Sequence, residues 1–572
     1  MGQSTSKEHE NARTNESKLK GESLMDFFND RCLKQLTTAE LISFKNNIPE
    51  GKELNDYVEV SDISRMYYIP KDSAVMLSVF MNMFHTLANF PLLQDSYEKV
   101  TFKTLLKATL LLVKERAIKY TDWKKYNDLK MLFITLSLEK NIKAEPLMDS
   151  SALSDCKDWK GVIRSYNGTD FDELKVNANN LLHFLALILA LSRCCILNNC
   201  KIDNDVLAKS LEDFKHQALN IVRTMNPEII SMSDCLDSSI TYTQFSMAVN
   251  DVAPNLLNPL KMLMEHVLYM DRDLVDADVL QPISNPTKIV NESELSQLAT
   301  FLPKEIVFSR FQKLYVGRES GFSMRSFQSK VFKWMAPTIL FVEGMRIRDE
   351  DDEDGDAYAV KNPRYRNFLQ EYGKLKSEDQ HLDTLSKKKR KLLFAVCIRD
   401  PWKVSNKDLF GDSSTKIIQL HPRQEIFDAD PFKTGNVYFN TVGGGIGIGS
   451  SQPIIKANGK KYFPGNVSLT IDSSLEFGIF RHLGAGGSFK PGRLISGRGE
   501  ERNSFEYRFI IQDVEVWGCG GEKELEEQVK QWQWEEAEAK RRQKINLQSM
   551  GEDRALLEMA GLVGQHQSGG SI

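Results

Sequence analysis

The run Gly443-Gly444-Gly445-Ile446-Gly447-Ile448-Gly449 is the stretch whose composition could cradle a phosphate. A dinucleotide loop needs G-x-G-x-x-G opening a helix, so that free N–H groups face the pyrophosphate. The register fails here: counting from Gly443 the last position is Ile448, counting from Gly445 it is Ser450, and Ser451, Gln452 and Pro453 begin no helix. A phosphate loop of the Walker type fails as well, because Gly459-Lys460 has Ile454 in place of the first glycine and no Ser or Thr after the lysine. Glycines among strand residues instead mark a bulge or a close backbone approach. Thiol and metal chemistry fare no better. Cys194, Cys195 and Cys200 lack paired C-x-x-C spacing or a nearby histidine pair, and Cys397 and Cys519 have no adjacent His or Lys to activate them. Asp271-Arg272-Asp273 lacks the sixth-position glycine of a calcium loop, and the run Glu350 to Gly355 places Lys361 where a bidentate Glu belongs. The expectation is therefore no catalytic centre, cofactor or metal.

One position does carry chemistry. Met1-Gly2-Gln3-Ser4-Thr5-Ser6, followed by Lys7, fits the N-myristoylation pattern and makes Gly2 the acyl acceptor. A single myristoyl chain binds a membrane only at roughly 10⁴ per molar, so stable residence needs a second contact. No cysteine precedes Cys32, and the basic residues of the tail are offset by Glu8, Glu10 and Glu16, which points to a protein partner already on the membrane.

The elements that would position such a surface read in order. From Met25 to about Leu280 the chain is helical: Val75, Val79, Met83, Leu87 and Phe90 form one stripe, and Leu105, Thr109, Leu112 and Val113 another. The apolar run Leu181 to Leu191 is far short of the ~20 residues a bilayer requires and reads as a core helix. Ser323 looks like an N-cap, with Phe327, Val331 and Trp334 at helical spacing until Pro337, and Thr338 to Val342 as a strand. Ile417, Ile418 and Leu420, then Val437, Phe439 and Val442, fit short strands. Val467, Leu469 and Ile471, and Phe505, Tyr507, Phe509 and Ile511, alternate with more polar residues, which predicts antiparallel strands with one wetter face.

In this order Leu314-Tyr315 with Gly321-Phe322-Ser323, Ala336 to Leu340, the glycine run and the closing Asp513-Val514-Glu515-Val516-Trp517-Gly518 resemble the TLDc domain over roughly Ile289 to Gly520. The resemblance implies a β-sandwich flanked by helices, without an established active site. It also implies binding to the peripheral parts of the vacuolar-type proton-pumping ATPase, promoting its disassembly or inhibition. The start Met1 to Ser4, the block Lys333 to Pro337 and the tail Gly551 to Leu562 are similar to a fungal branch of the family whose name rests on a genetic link to telomere capping, which is a phenotype and not a chemistry. The expected organisation is an α+β multidomain chain. A polar tail, 1–24, precedes a helical domain, 25–283, and the TLDc domain, 289–520, carries an acidic, partly disordered insert at 348–391. A C-terminal helix and tail, 521–572, closes it.

Composition bounds the partners. A chain of 572 residues, 41% hydrophobic and of net charge −4, can bury more than one core but offers no dominant positive surface, so no direct nucleic-acid binding is expected. Eight scattered cysteines suit a reducing cytoplasm rather than a disulfide framework. Lys387-Lys388-Lys389-Arg390-Lys391 could serve nuclear import or contact with acidic surfaces, or be a solvated linker. Between Glu522 and Gln548, Glu526 with Lys530, Glu536 with Lys540 and Glu538 with Arg542 support an exposed helix. Its short apolar stripe Leu525, Val529 and Trp532, together with Leu556 and Leu557 further on, is the candidate partner-binding arm, or packs against the chain itself. The leading expectation is a non-catalytic, cytoplasmic protein peripheral on the vacuolar membrane that regulates the proton pump. The alternatives are an oxidative-stress-protection protein and a nuclear factor acting on telomeres.

Overall fold

The structure is a computed structural model that describes residues 25–91, 99–137, 160, 174–196, 204–268, 285–303, 306, 311–347, 362–373, 375, 380–382, 384–456, 459–520 and scattered positions within 526–542. The N-terminal part is helical apart from two short strands, β1 (Lys175–Asn177) and β2 (Ser239–Thr241), which pair antiparallel. The helix Ala74–Ala88 buries Val79, Met83 and Leu87 as its spacing predicts, and Phe80 and Phe84 as well, while Val75 is only half-buried. The helix Phe102–Leu111 starts at Thr101, whose side chain accepts from Thr104 N. It departs from the expected single stripe, because every residue from Thr104 to Leu111 is buried. That burial includes Lys107, fully enclosed, whose Nζ donates to Phe90 O at 3.0 Å. The apolar run Leu181 to Leu191 lies within the core helix Ala178–Ile196. Among the described residues no helix is long and apolar enough to cross a membrane.

The second part carries β3 (Gln312–Val316), β4 (Thr338–Arg346), β5 (Lys391–Ile398), β6 (Lys416–His421), β7 (Glu425–Asp428), β8 (Val437–Asn440), β9 (Gly445–Ile448), β10 (Ser451–Lys456), β11 (Gly459–Phe463), β12 (Val467–Ile471), β13 (Phe477–His482) and β14 (Phe505–Gly518). β10 and β11 form a separate hairpin, and the others make one ten-stranded sheet in the order β7-β6-β5-β4-β14-β13-β12-β9-β8, with β3 also on β14. All of the registers are antiparallel. The sandwich is this one sheet folded over on itself. Phe394 of β5 stacks on Phe480 of β13 with ring centroids 4.8 Å apart, and Phe427 of β7 meets the same ring at 5.0 Å, although neither strand is a neighbour of β13.

The predicted wetter face is absent. β12 is buried at all five positions, and β14 at nearly all of its length. Side chains alternate between faces along a strand. On β4 and β5 one set, Leu340, Val342, Phe394 and Val396, enters the sandwich core. The other set, Ile339, Phe341, Ala395 and Cys397, joins the core of the helical part. A bulge between Ile511 and Asp513 reverses the parity of β14, so Phe509 and Ile511 before it and Val514 and Val516 after it all point inward. Within the expected insert, the helix Pro363–Tyr372 is folded and covers a third cluster, Tyr365, Phe368 and Tyr372 on Tyr462, Phe477 and Ile479. The acidic run Glu350 to Gly355 lies outside the described residues.

Three local expectations are corrected. Ser323 sits at an N-cap position, but its side chain makes no capping hydrogen bond. The following helix, Met324–Val331, ends before Trp334, which is held instead by Nε1 donating to Pro337 O at 3.0 Å. Val442 lies beyond β8 in the turn and is exposed, because Asn440 Oδ1 accepts from Val442 N and Gly444 N and ends the strand.

Helical part and sheet are joined by polar contacts as well as the shared core. Buried Gln424, in the β6–β7 turn, exchanges hydrogen bonds with Thr224 through its main chain, while its Nε2 donates to Val252 O and Thr300 Oγ1. Gln297 Nε2 donates to Gln424 Oε1 and Leu420 O. Removing one member leaves the others buried and unpaired. Gln424→Ala is therefore expected to cost about 2 to 3 kcal/mol, read as a lowered urea midpoint; an unchanged midpoint would remove the turn from the joint.

Candidate functional site

The glycine run is the first place to look for a site, and its backbone is occupied by the sheet. β9 pairs with β8 from Asn440↔Gly445 to Val437↔Ile448, and with β12 from Ile471↔Ile446 to Leu469↔Ile448. Gly445 has φ +72° and a Cβ there would lie 2.1 Å from Ile471 O; at Gly447 it would lie 2.2 Å from the Tyr438 ring. The glycines let a strand pass close to two neighbours, and they do not open a loop toward a phosphate.

The other signature segments are also spent inside the fold. Tyr315 Oη donates to Gly321 O at 2.8 Å, and a Cβ on Gly518 would lie 2.4 Å from the Trp334 ring. Glu515, fully buried, accepts from Thr287 Oγ1 at 2.7 Å and from Trp517 Nε1 at 2.9 Å, and burial raises its pKa. These residues tie the end of β14 to the chain that precedes the sheet.

Cys32, Cys235, Cys397 and Cys519 are sequestered. Burial pushes Cys32 up to about 12 and Cys235 and Cys397 up to about 11, the opposite of what a thiolate nucleophile requires. Cys519 is buried with Sγ 3.4 Å from Pro337 O. Cys194 and Cys195 fall in the helix Ala178–Ile196, and Cys200 lies outside the described residues. Among the described residues no cluster of three metal-ligating side chains exists.

The basic run is divided by its surroundings. Lys387 and Lys388 end the helix Thr384–Lys388, Lys389 is half-buried, and Lys391 opens β5 with Nζ 2.7 Å from Glu343 Oε1. Of the surface candidates, Gly2, Leu525, Val529, Trp532, Leu556 and Leu557 lie outside the described residues. Nearby, the described positions from 526 to 542 are helical, and the three ion pairs form at 3.7, 2.9 and 3.0 Å. Trp534 is exposed.

Sequence reasoning missed one feature altogether. A cleft of about 1060 Å³ opens between the helices Asn204–Met225 and Glu292–Ala299 and the start of β5. Arg223, Lys389 and His421 line it from three segments. Separations of up to about two hundred positions leave no spacing signal for such a set.

A curled antiparallel sheet with β3 branching from its interior strand β14, and with this interior use of its signature segments, fits a TLDc domain, and the TLDc domain family matches residues 283–520. Full-length relatives extend the match. Proteins named "Restriction of telomere capping protein 5" from Lachancea thermotolerans and Saccharomyces cerevisiae are each 49% identical over the whole of both chains. One from Zygosaccharomyces rouxii is 44% identical over 96% of each. The chain belongs to this restriction of telomere capping protein 5 family of TLDc-domain proteins.

Proposed function

We propose that this chain is a non-catalytic interaction protein, cytoplasmic and peripheral on the vacuolar membrane, that binds the vacuolar-type proton-pumping ATPase and promotes its disassembly or inhibition. A myristoyl chain on Gly2 raises its local concentration, and the pump supplies the second contact that one acyl chain needs. Tighter binding to a partly separated pump than to the assembled one shifts the population toward separation. The observation that carries the non-catalytic reading is the fate of the signature segments: the glycine run, Glu515 and Gly518 are consumed in strand pairing and core contacts, which leaves the surfaces to act. The relatives' name refers to telomere capping. For this chain we take that link to be indirect, since its net charge of −4 gives little to neutralise phosphates.

Gly2→Ala is expected to move most of the protein from the membrane fraction to the supernatant, while pump subunits still copurify with what remains bound. Fractionation followed by mass spectrometry of copurifying proteins reads both. Unchanged membrane residence would discard the acyl anchor, and absence of pump subunits from the native preparation would discard the partner.

A further inference from the structure

Arg223 is 3% exposed, and among the described residues its guanidinium donates only to neutral oxygens: Asn220 Oδ1 and Pro422 O, each at 3.3 Å, and Ile230 O at 2.5 Å. Its Nε has no partner, and among the described residues the guanidinium forms no ion pair. Asp234, whose Oδ2 accepts from Ile230 N and Ser231 N at 2.9 and 3.0 Å, attracts the guanidinium without pairing with it. A buried cation whose guanidinium is paired with no carboxylate is costly, and an anion in contact with it would lower that cost. The side chain lines an open cleft that it shares with half-buried Lys389.

The potential in the cleft is positive on that wall. His421 is pushed down to about 3, by burial first and then by Arg223, Lys391, Lys389 and His216. Its Nδ1 lies 3.1 Å from Asn220 Oδ1, the same oxygen that accepts from Arg223. The opposing acids are largely satisfied: Glu294 accepts from Gln217 at 2.9 Å, and exposed Glu212 pairs with Lys215 at 2.5 Å. Asp213, also lining the cleft, is exposed to solvent, and Glu292 is half-buried.

We propose that this cleft binds a phosphoryl group, with the Arg223 guanidinium and the Lys389 ammonium as its counter-charges. Planar guanidinium matches phosphate oxygens through a fork; the unpartnered Nε–H is one tine of it, and because that atom is itself enclosed, a phosphate oxygen reaches it only as the side chain turns toward the cleft. The site lies where the helical part meets the sheet, so an occupant would bridge the two. The phosphoryl group could be free or carried on a lipid head group, and the test separates the sources.

Full-length protein is titrated with sodium pyrophosphate by calorimetry, and separately sedimented with phosphatidylcholine vesicles with or without phosphatidylinositol phosphate. Saturable pyrophosphate binding is expected, at least fivefold weaker in Lys389→Ala and at least tenfold weaker in Arg223→Lys, which keeps the charge but loses the fork. Lys389 is half-buried and makes no ion pair among the described residues, so its variant carries the test if the Arg223 variant misfolds. Pyrophosphate silence combined with a Lys389-dependent gain on phosphoinositide vesicles assigns the head group as the source. Binding in either arm that is unaffected by Lys389→Ala, or no binding in both, overturns the proposal.

Discussion

Gly445→Ala is expected to lower the stability of the sheet by about 4 kcal/mol or more, the range reserved for broken core geometry. Two costs add. Gly445 has φ +72°, where a Cβ is strained by about 1 to 2 kcal/mol. That Cβ would also sit 2.1 Å from Ile471 O, a main-chain atom of β12 held on its other edge by β13, so the obstacle cannot swing aside. Gly443→Ala is the matched control: its φ is +111°, so the backbone strain remains, but the nearest atom is the flexible Lys460 side chain at 3.5 Å, and the cost should be that strain alone, about 1 to 2 kcal/mol. Thermal unfolding followed by circular dichroism reads both, with a fall of about 10 °C or more for Gly445→Ala and a few degrees for Gly443→Ala. Equal, small shifts would mean that the run is a loop and not a strand packed between neighbours.

Lys107→Met is expected to stabilise the protein by about 3 kcal/mol at pH 7, after allowing about 1 kcal/mol for the hydrogen bond lost by Phe90 O. Lys107 is fully buried and its pKa is lowered to about 7 from 10.5, chiefly by desolvation. The sign follows from proton counting. Between about pH 7 and 10.5 the unfolded chain binds a proton at this site that the folded chain does not, so the native protein gains stability as pH rises through that window. Below about pH 7 both states are protonated and the penalty is constant. Methionine removes the titration, so the difference between variant and native protein should be largest at and below about pH 7 and shrink toward pH 10. Urea unfolding at several pH values measures it; a difference that does not change with pH would show that Lys107 titrates normally in the fold.

Much of the sheet is legible in the sequence because its signals are local. The glycine run, the strand Thr338 to Val342 and the alternating residues of β12 and β14 announce themselves within a few positions. What covers those strands does not. Period-two alternation in Val467 to Ile471 predicts a wet face only if nothing lies above it. Elsewhere on the same sheet, the second faces of β4 and β5 are covered by helices far away in sequence. Lys107 is hidden for the same reason, since its neighbours in sequence are those of an ordinary amphipathic helix and the enclosure comes from elsewhere. Trp334 keeps helical spacing with Phe327 and Val331 while lying outside the helix, because Pro337 bars its continuation and the indole N–H bonds to the Pro337 carbonyl instead. The cleft at Arg223 has no linear signature, as its parts meet only when the β6–β7 turn docks on the helices.

The pump reading stands or falls on assembly. Vacuolar membranes from cells lacking the chain, and from cells with the native chain at raised levels, can be compared for the amount of the pump's peripheral sector relative to its membrane sector. This ratio is expected to fall as the chain increases, and Gly2→Ala at the same level to blunt the fall. A ratio that stays constant across absence, native level and excess would contradict the pump reading.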